Sequence, residues 1–285
     1  MNFTSKLGKQ FVFTTELGGI NGTQIEESLT KAREYVGLDA INVHDCPNAH
    51  LRMNSVMAGS LIQKDLGVPV IPHFTCRDRS LLGTQADLLG AHALGIRNIL
   101  PTTGDGPQHG PYKSAAVYDV NTLALIQAIS GFNQGVDVNG KEFKGNTEFL
   151  ISATATPGAE NLEAELSRMG KKVAAGANFF QTQPVYETEK AKQFLAQARK
   201  FGKPILLGLM PLKGLKMAEF VNKNMAGVDV PDNIIAQLEQ GKTGFEIACE
   251  FIQEIYQEVD GLHIYGMGDV ATTNKLVKFT SNLLA

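Results

Sequence analysis

Read for its apolar and polar positions, the chain repeats one pair of patterns: a short β-branched or apolar run, then a longer stretch of helical period. Eight such runs predict strands at Phe11–Leu17, Asp39–Asp45, Val68–Thr75, Asn98–Gly104, Glu148–Ala155, Asn178–Val185, Pro204–Met210 and Leu262–Met267. Among the intervening segments, Thr23–Tyr35, Leu51–Asp65, Ser80–Leu94, Asn161–Ala175 and Glu187–Phe201 predict helices. In Ser80–Leu94 the residues Leu82, Ala86, Leu89 and Ala93 recur every three or four positions and so share one helical face. Gly37, Gly95, Gly176 and Gly202 stand just before predicted strands, and glycine is the preferred residue just past a helix end. The runs VPVIPHFT and PILLGLM are apolar on both faces, as expected of parallel strands covered by helices.

Eight βα units without a linker-like stretch predict an α/β fold, a (β/α)8 TIM barrel, as a single domain over residues 1–285. The alternative is an open doubly wound sheet, but no Gly-x-Gly-x-x-Gly turn follows the first strand. Two regions break the rhythm. Gly106–Tyr118 follows the fourth strand and belongs on the face where barrels carry their chemistry. Gly131–Asn146 follows a helix, so its hairpin signal, Asn139-Gly140, belongs on the opposite face.

Composition narrows the classes. With 43% hydrophobic and 19% charged residues the chain builds a large core, and global disorder is excluded. Lys and Arg total 26 against 29 Asp and Glu, a net charge of −3 with no basic stripe, which argues against nucleic acid or a membrane surface as partner. No apolar run has the length of a membrane span, and the opening MNFTSKLGKQ lacks the apolar stretch of a signal peptide. Three cysteines, Cys46, Cys76 and Cys249, cannot all pair, so a reducing, cytoplasmic setting is expected.

In a barrel the residues that end the strands converge on one mouth. Here they are Glu16, His44, Asp45, His73, Thr75, Thr102, Thr103, Asp105, Thr154, Thr156, Gln181, Gln183 and Tyr265. Glu16 reads either as a general acid, its pKa raised by desolvation, or as a carboxylate that caps a helix or pairs with a neighbour. Asp105, between glycines in Thr103-Gly104-Asp105-Gly106-Pro107, can meet the N–H edge of a planar ligand or merely close a turn. Gln181 and Gln183 can read the amide-like edge of a heterocycle. Lys171 and Lys172 can neutralise a phosphate or sit favourably at a helix end. His44, Cys46, His73 and Cys76 lack a recognisable ligand spacing, so no metal is expected.

Together these segments resemble the methylenetetrahydrofolate reductase family. The likeness runs from about Gly8 to the C-terminus and is densest in Pro72-His73-Phe74-Thr75-Cys76, in Thr103-Gly104-Asp105, and from Lys171-Lys172 through Asn178 to Thr182-Gln183. The block HFTCRDRSLLGTQADLLGAHALGIRNIL is most similar to the reductase-like module of bacterial proteins that fuse it to a homocysteine methyltransferase. The resemblance implies a barrel that binds FAD and reduces 5,10-methylenetetrahydrofolate to 5-methyltetrahydrofolate, or runs the reverse oxidation. By the same resemblance Glu16 is the acid that assists opening of the imidazolidine ring, and Asp105 lies beside flavin and pterin. Gln183 orients the folate, while His73, Thr103, Gly104, Asp105, Tyr118 and Lys172 stand at flavin-contacting positions. The chain departs from the family where Leu17-Gly18-Gly19 follows the acid, at Thr103 in place of arginine, at Leu215 in place of an aromatic, and at Asp269 near a substrate-binding arginine. These departures point to an electron-transfer partner protein as donor. The expected partners are that protein, a tetrahydrofolate derivative and further copies of the chain in a homo-oligomer. A flavin-free tetrahydrofolate methyltransferase and a non-catalytic folate-binding subunit are the alternatives.

Overall fold

The computed structural model describes residues 3–113, 115–225 and 227–285. Its strands are β1 (Val12–Leu17), β2 (Ala40–Val43), β3 (Val70–Thr75), β4 (Asn98–Thr102), β5 (Leu150–Ala155), β6 (Phe179–Pro184), β7 (Ile205–Leu209) and β8 (Gly261–Ile264). They pair in sequence order, all parallel, and β8 closes on β1 to complete the barrel. All eight predicted strands are present, and most are shorter than the apolar runs that announced them. The run through Asp45, for example, leaves the ladder after Val43, and the Asp45 carboxylate turns to accept from the Thr75 backbone N–H and hydroxyl, both at 2.9 Å.

The helices are α1 (Phe3–Lys6), α2 (Glu26–Arg33), α3 (Ser55–Leu66), α4 (Leu81–Ala93), α5 (Thr122–Phe132), α6 (Leu162–Ala175), α7 (Thr188–Ala198), α8 (Leu215–Asn224), α9 (Asp232–Glu239), α10 (Gly244–Ile255) and α11 (Val270–Leu284). Side chains start many of them: Asn54, Ser80, Asn121, Asn161 and Asp269 each accept a backbone N–H from the first turn. The four glycines predicted to end helices all adopt the left-handed conformation, with φ from 61 to 119°. Helices α8 and α9 are an insertion between β7 and α10, and pack a small core of their own that includes Leu212, Val221 and Ile234.

The periodic stripe of α4 does form one face, but that face points outward. Thr84, Leu88 and Ala91 are the residues turned to the sheet, whereas Leu82 is 76% and Leu89 44% exposed. The Asn139-Gly140 hairpin is reduced to one antiparallel bridge, Val136 to Glu142, because the Asp137 carboxylate takes the Asn139 and Lys141 N–H groups.

Alternate strand residues face the barrel interior, which is layered. At the N-terminal end Val12, Ala40, Ile71, Leu100, Phe179 and Leu206 form an apolar plug, closed from below by Phe3 of α1, whose ring meets Phe179 edge-on at 5.6 Å. One step along each strand pair the interior becomes polar, with Thr14, Asn42, Ser152, Gln181 and His263, all at most 2% exposed. The next step opens into solvent, so the fold leaves one end of the barrel available for chemistry. No described helix is long and apolar enough to cross a membrane.

Candidate active site

The open end is a cleft of 790 Å3 lined by residues from most of the strands, among them Glu16, His44, His73, Thr103, Gly104, Asp105, Lys172 and Gln183. Of the site residues expected from sequence, Thr156 and Lys171 lie outside this lining, and so does Tyr118. It sits at the rim, 38% exposed, with its hydroxyl directed to the Gly104 carbonyl at 3.4 Å. Glu16 and Asp105, ends of different strands, therefore share one cavity.

Glu16 is held between two histidines. Its Oε2 lies 3.1 Å from His44 Nε2, and its Oε1 lies 3.4 Å from His263 Nε2. The polar layer beneath sets the second contact. Gln181 Nε2 donates to the Thr14 hydroxyl (3.2 Å). That hydroxyl lies 2.8 Å from His263 Nδ1; because the Glu16 carboxylate can only accept, the ring carries its proton on Nε2 and Nδ1 accepts. Gln181 Oε1 accepts from Asn42 Nδ2 (3.1 Å) and Ser152 (3.1 Å), so the amide is locked on both sides. Asn42, Ser152 and His263 were not singled out in the sequence. The signal was available, since they stand two residues before His44, Thr154 and Tyr265 on the same strand face.

This arrangement corrects the protonation expected for Glu16. Burial does push its carboxyl upward, but the charge and hydrogen bond of His44, with the hydrogen bond from His263, outweigh it and hold the group well below the usual carboxylate range. Burial opposes charge on His44 as well, yet Glu16 and then Asp105 raise its pKa above the ordinary 6.5. The proton of the pair thus rests on His44. His73, stacked 5.0 Å from His44, is pushed down to about 3 by burial and by the neighbouring positive charge, and is neutral.

Glu16, His44 and His73 offer three ligating atoms within 4.8 Å of one another, the one such group among the described residues. Those atoms are already engaged: Glu16 pairs with His44, and His73 Nε2 faces Asn42 Nδ2 at 3.2 Å.

The opposite wall is built from loops. Asp105 Oδ2 accepts the Asn48 backbone N–H at 2.6 Å, tying the loop after β4 to the loop after β2. Arg77, 2% exposed, reinforces the tie by donating to the carbonyls of Asp105 (3.1 Å) and Cys46 (3.0 Å). Gly104 lies between them at φ 85°, where an added Cβ would come within 3.0 Å of Thr75 and 3.1 Å of Arg77. Asp45 also lines the cleft, but its carboxylate is spent on Thr75 and on Arg79 (2.6 Å), whose guanidinium lies 4.2 Å over Phe74. At the far side Lys172 Nζ donates to the Thr154 carbonyl at 2.6 Å, and burial lowers its pKa. Arg168 stands with it in the lining, its guanidinium paired with Glu165 at 2.6 Å, which leaves Lys172 as the cation without a carboxylate partner there. A glycine backbone at Gly104 on one wall and the Lys172 cation on the other suit a flat ring system carrying a phosphate. Leu215 and Asp269 lie outside the lining, and Asp269 caps α11.

The sequence profile described as methylenetetrahydrofolate reductase matches residues 5–280. A probable methylenetetrahydrofolate reductase (NADPH) of Caenorhabditis elegans is 26% identical over 86% of this chain and 36% of its own length. Methylenetetrahydrofolate reductase (NADH) 1 of Arabidopsis thaliana is 29% identical over 72% of this chain and 37% of its own. The chain thus spans little more than a third of these relatives. Among solved structures, a Clostridium thermocellum protein that binds two copies of 5-methyl-5,6,7,8-tetrahydrofolic acid superposes with a TM-score of 0.65 at 15% identity, covering 97% of each chain. A Yersinia pestis DHPS holding a pterine-sulfa conjugate gives 0.52 at 13% identity, over 97% of this chain and 95% of that one. The barrel, its layered interior and the profile match over nearly the whole chain agree: the chain belongs to the methylenetetrahydrofolate reductase family.

Proposed function

We propose that the chain interconverts 5,10-methylenetetrahydrofolate and 5-methyltetrahydrofolate at the open end of the barrel, with FAD as the redox cofactor. The observation that carries this reading is the His44–Glu16 pair, 3.1 Å apart and facing the same cavity as Gly104 and Asp105. Opening the imidazolidine ring needs a proton on the departing nitrogen, and the pair stores one in a water-poor floor. Gln183 and Asp105 provide acceptors for the pterin's amide-like edge. Lys172, Thr103 and the Gly104 backbone would hold the phosphate-bearing cofactor, with His73 and Tyr118 beside its ring. When bound, a flavin supplies the hydride, and the protein supplies orientation and the proton. The likeness in fold to a barrel that binds methyltetrahydrofolate is consistent with the substrate class.

Electrons are proposed to arrive from a partner protein, since neither Leu215 nor Asp269 contributes to the cleft. The test is an anaerobic absorption spectrum of the FAD-loaded chain. Added 5-methyltetrahydrofolate should bleach the flavin band, and Glu16→Gln should slow bleaching by ~10²–10⁴-fold while folate still binds. NADH alone should reduce the wild-type flavin slowly. A colourless chain that binds folate but no FAD refutes the reductase reading, and rapid reduction by NADH refutes the need for a partner.

A further inference from the structure

Polar side chains in the middle of a barrel destabilise it unless each finds a partner. The layer below, Val12 through Leu206, fills the same barrel with apolar side chains, so packing alone does not call for amides here. The hydrogen bonds of the polar layer run in one direction, and that direction is set at Glu16. Its carboxylate accepts from His263 Nε2, so His263 Nδ1 is an acceptor, and the Gln181 atom 3.1 Å from it is the amide nitrogen. Gln181 Nε2 also donates to Asn42 Oδ1 at 2.9 Å, while Gln181 Oε1 accepts from Asn42 Nδ2 and the Ser152 hydroxyl, both at 3.1 Å. The two amides thus pair head to tail, and turning either one over alone would set oxygen against oxygen and nitrogen against nitrogen. Asn42 Nδ2 has one hydrogen left, and His73 Nε2 lies 3.2 Å away, so that nitrogen accepts. His73 is neutral, since burial and the charge on His44 push its pKa down to about 3, and its single proton therefore sits on Nδ1.

We propose that Gln181 is a positioning residue: it carries the orientation imposed by Glu16 across the barrel, through Asn42, and fixes the His73 proton on Nδ1. His73 lines the cleft beside His44, and the nitrogen that Asn42 does not occupy is then a donor to whatever ring is bound there. The charge state of one wall of the floor is in this way coupled to the hydrogen-bonding face of another, with no contact between Gln181 and the ligand. That the ligand is FAD rests on the function proposed above; the place of the proton does not.

The full chain, free of ligand and carrying isotope-labelled histidine, reports each tautomer in long-range proton–nitrogen correlation spectra at neutral pH. In the wild type His263 should carry its proton on Nε2 and His73 on Nδ1. Gln181→Met, similar in length but without a donor or acceptor of that strength, should leave His263 as it is and release His73. The two ring-nitrogen shifts of His73 should then draw together as its tautomers mix. Asn42→Ala cuts the same path one residue further on and should give the same pattern if the methionine variant folds poorly. FAD should bind either variant about two- to tenfold more weakly, the loss of one oriented hydrogen bond. A wild-type His73 with its proton on Nε2, or on both nitrogens, overturns the proposal, and so does a His73 tautomer that both variants leave unchanged. FAD binding undiminished in both variants while the tautomers mix overturns the donor role. A wild type that binds no FAD refutes the proposed cofactor and leaves the tautomer spectra to decide this inference.

Discussion

Replacing His44 by glutamine removes the cation that keeps Glu16 ionised while preserving a side chain that can still hydrogen-bond to it. In the wild type the proton leaves the pair as pH rises through the His44 value, which Glu16 and Asp105 raise above 6.5. Below that value the pair is charged for catalysis; above it the store is empty. In His44→Gln the proton must reside on Glu16 itself, whose ordinary value is 4.5. Burial, no longer overridden by the His44 charge, drives that carboxyl upward, opposed only in part by His263 and by the hydrogen bond the glutamine can make. The ordinary values of the two groups differ by two pH units, and burial of Glu16 returns part of that gap, so the alkaline limb should move toward acid and turnover at pH 8 should fall ~10-fold or more. At pH 5.5 the variant should recover much of the lost rate, because Glu16 then holds the proton unaided. The assay is the pH dependence of kcat/KM for 5,10-methylenetetrahydrofolate reduction by the FAD-loaded chain with an artificial electron donor, and folate Kd should move little. His73, His263, Tyr265 and Asp105, the other titratable groups facing the pair, are unchanged in the variant. An alkaline limb in the same place in both proteins would refute the assignment of the proton to His44.

Two further outcomes follow from the walls of the cleft. Asp45→Ala leaves the Arg79 guanidinium, only 9% exposed, with Asp87 as its remaining carboxylate, so equilibrium unfolding should show a loss of about 1.5–3 kcal/mol; a loss under 1 kcal/mol would mean that the pair is solvated in solution. Gly104→Ala forces a Cβ to 3.0 Å from Thr75 at φ 85°, and should both lower Tm and weaken FAD binding at least tenfold, read by flavin fluorescence, with undiminished binding as the contrary result.

The barrel was legible because its signal is repetitive. Eight apolar runs with glycine-terminated helices between them leave few other topologies, and strand alternation then placed Glu16, His73 and Gln183 at one mouth. What could not be read was anything decided by partners distant in sequence. Glu16 meets His263 across 247 positions, and that contact helps reverse the shift that burial alone would produce. Asp45 looked like a free strand-end acid until Arg79 folded back onto it. Helix α4 shows a third limit. A spacing of three and four proves that Leu82, Ala86, Leu89 and Ala93 share a face, but it carries no sign to say whether that face looks toward the sheet or away from it.

The loop wall shows how the fold fixes a polar group that also has a chemical task. Cys46, Asn48 and Ala49 all hold positive φ, 44°, 52° and 55°, a conformation that costs about 1 kcal/mol or more per residue outside glycine. Against that cost stand the Asp105 carboxylate on the Asn48 N–H and two Arg77 hydrogen bonds to carbonyls, each charge-assisted and worth about 1.5–3 kcal/mol. The two sums are of similar size, so losing the Asp105 carboxylate from the Asn48 N–H loosens the turn. Asp105 therefore positions the rim on which it sits as well as facing the ligand. Its replacement by asparagine should disturb the Cys46–Ala49 turn together with the redox chemistry, whereas a change at Gln183, whose side chain makes no comparable tie, should register in folate binding alone.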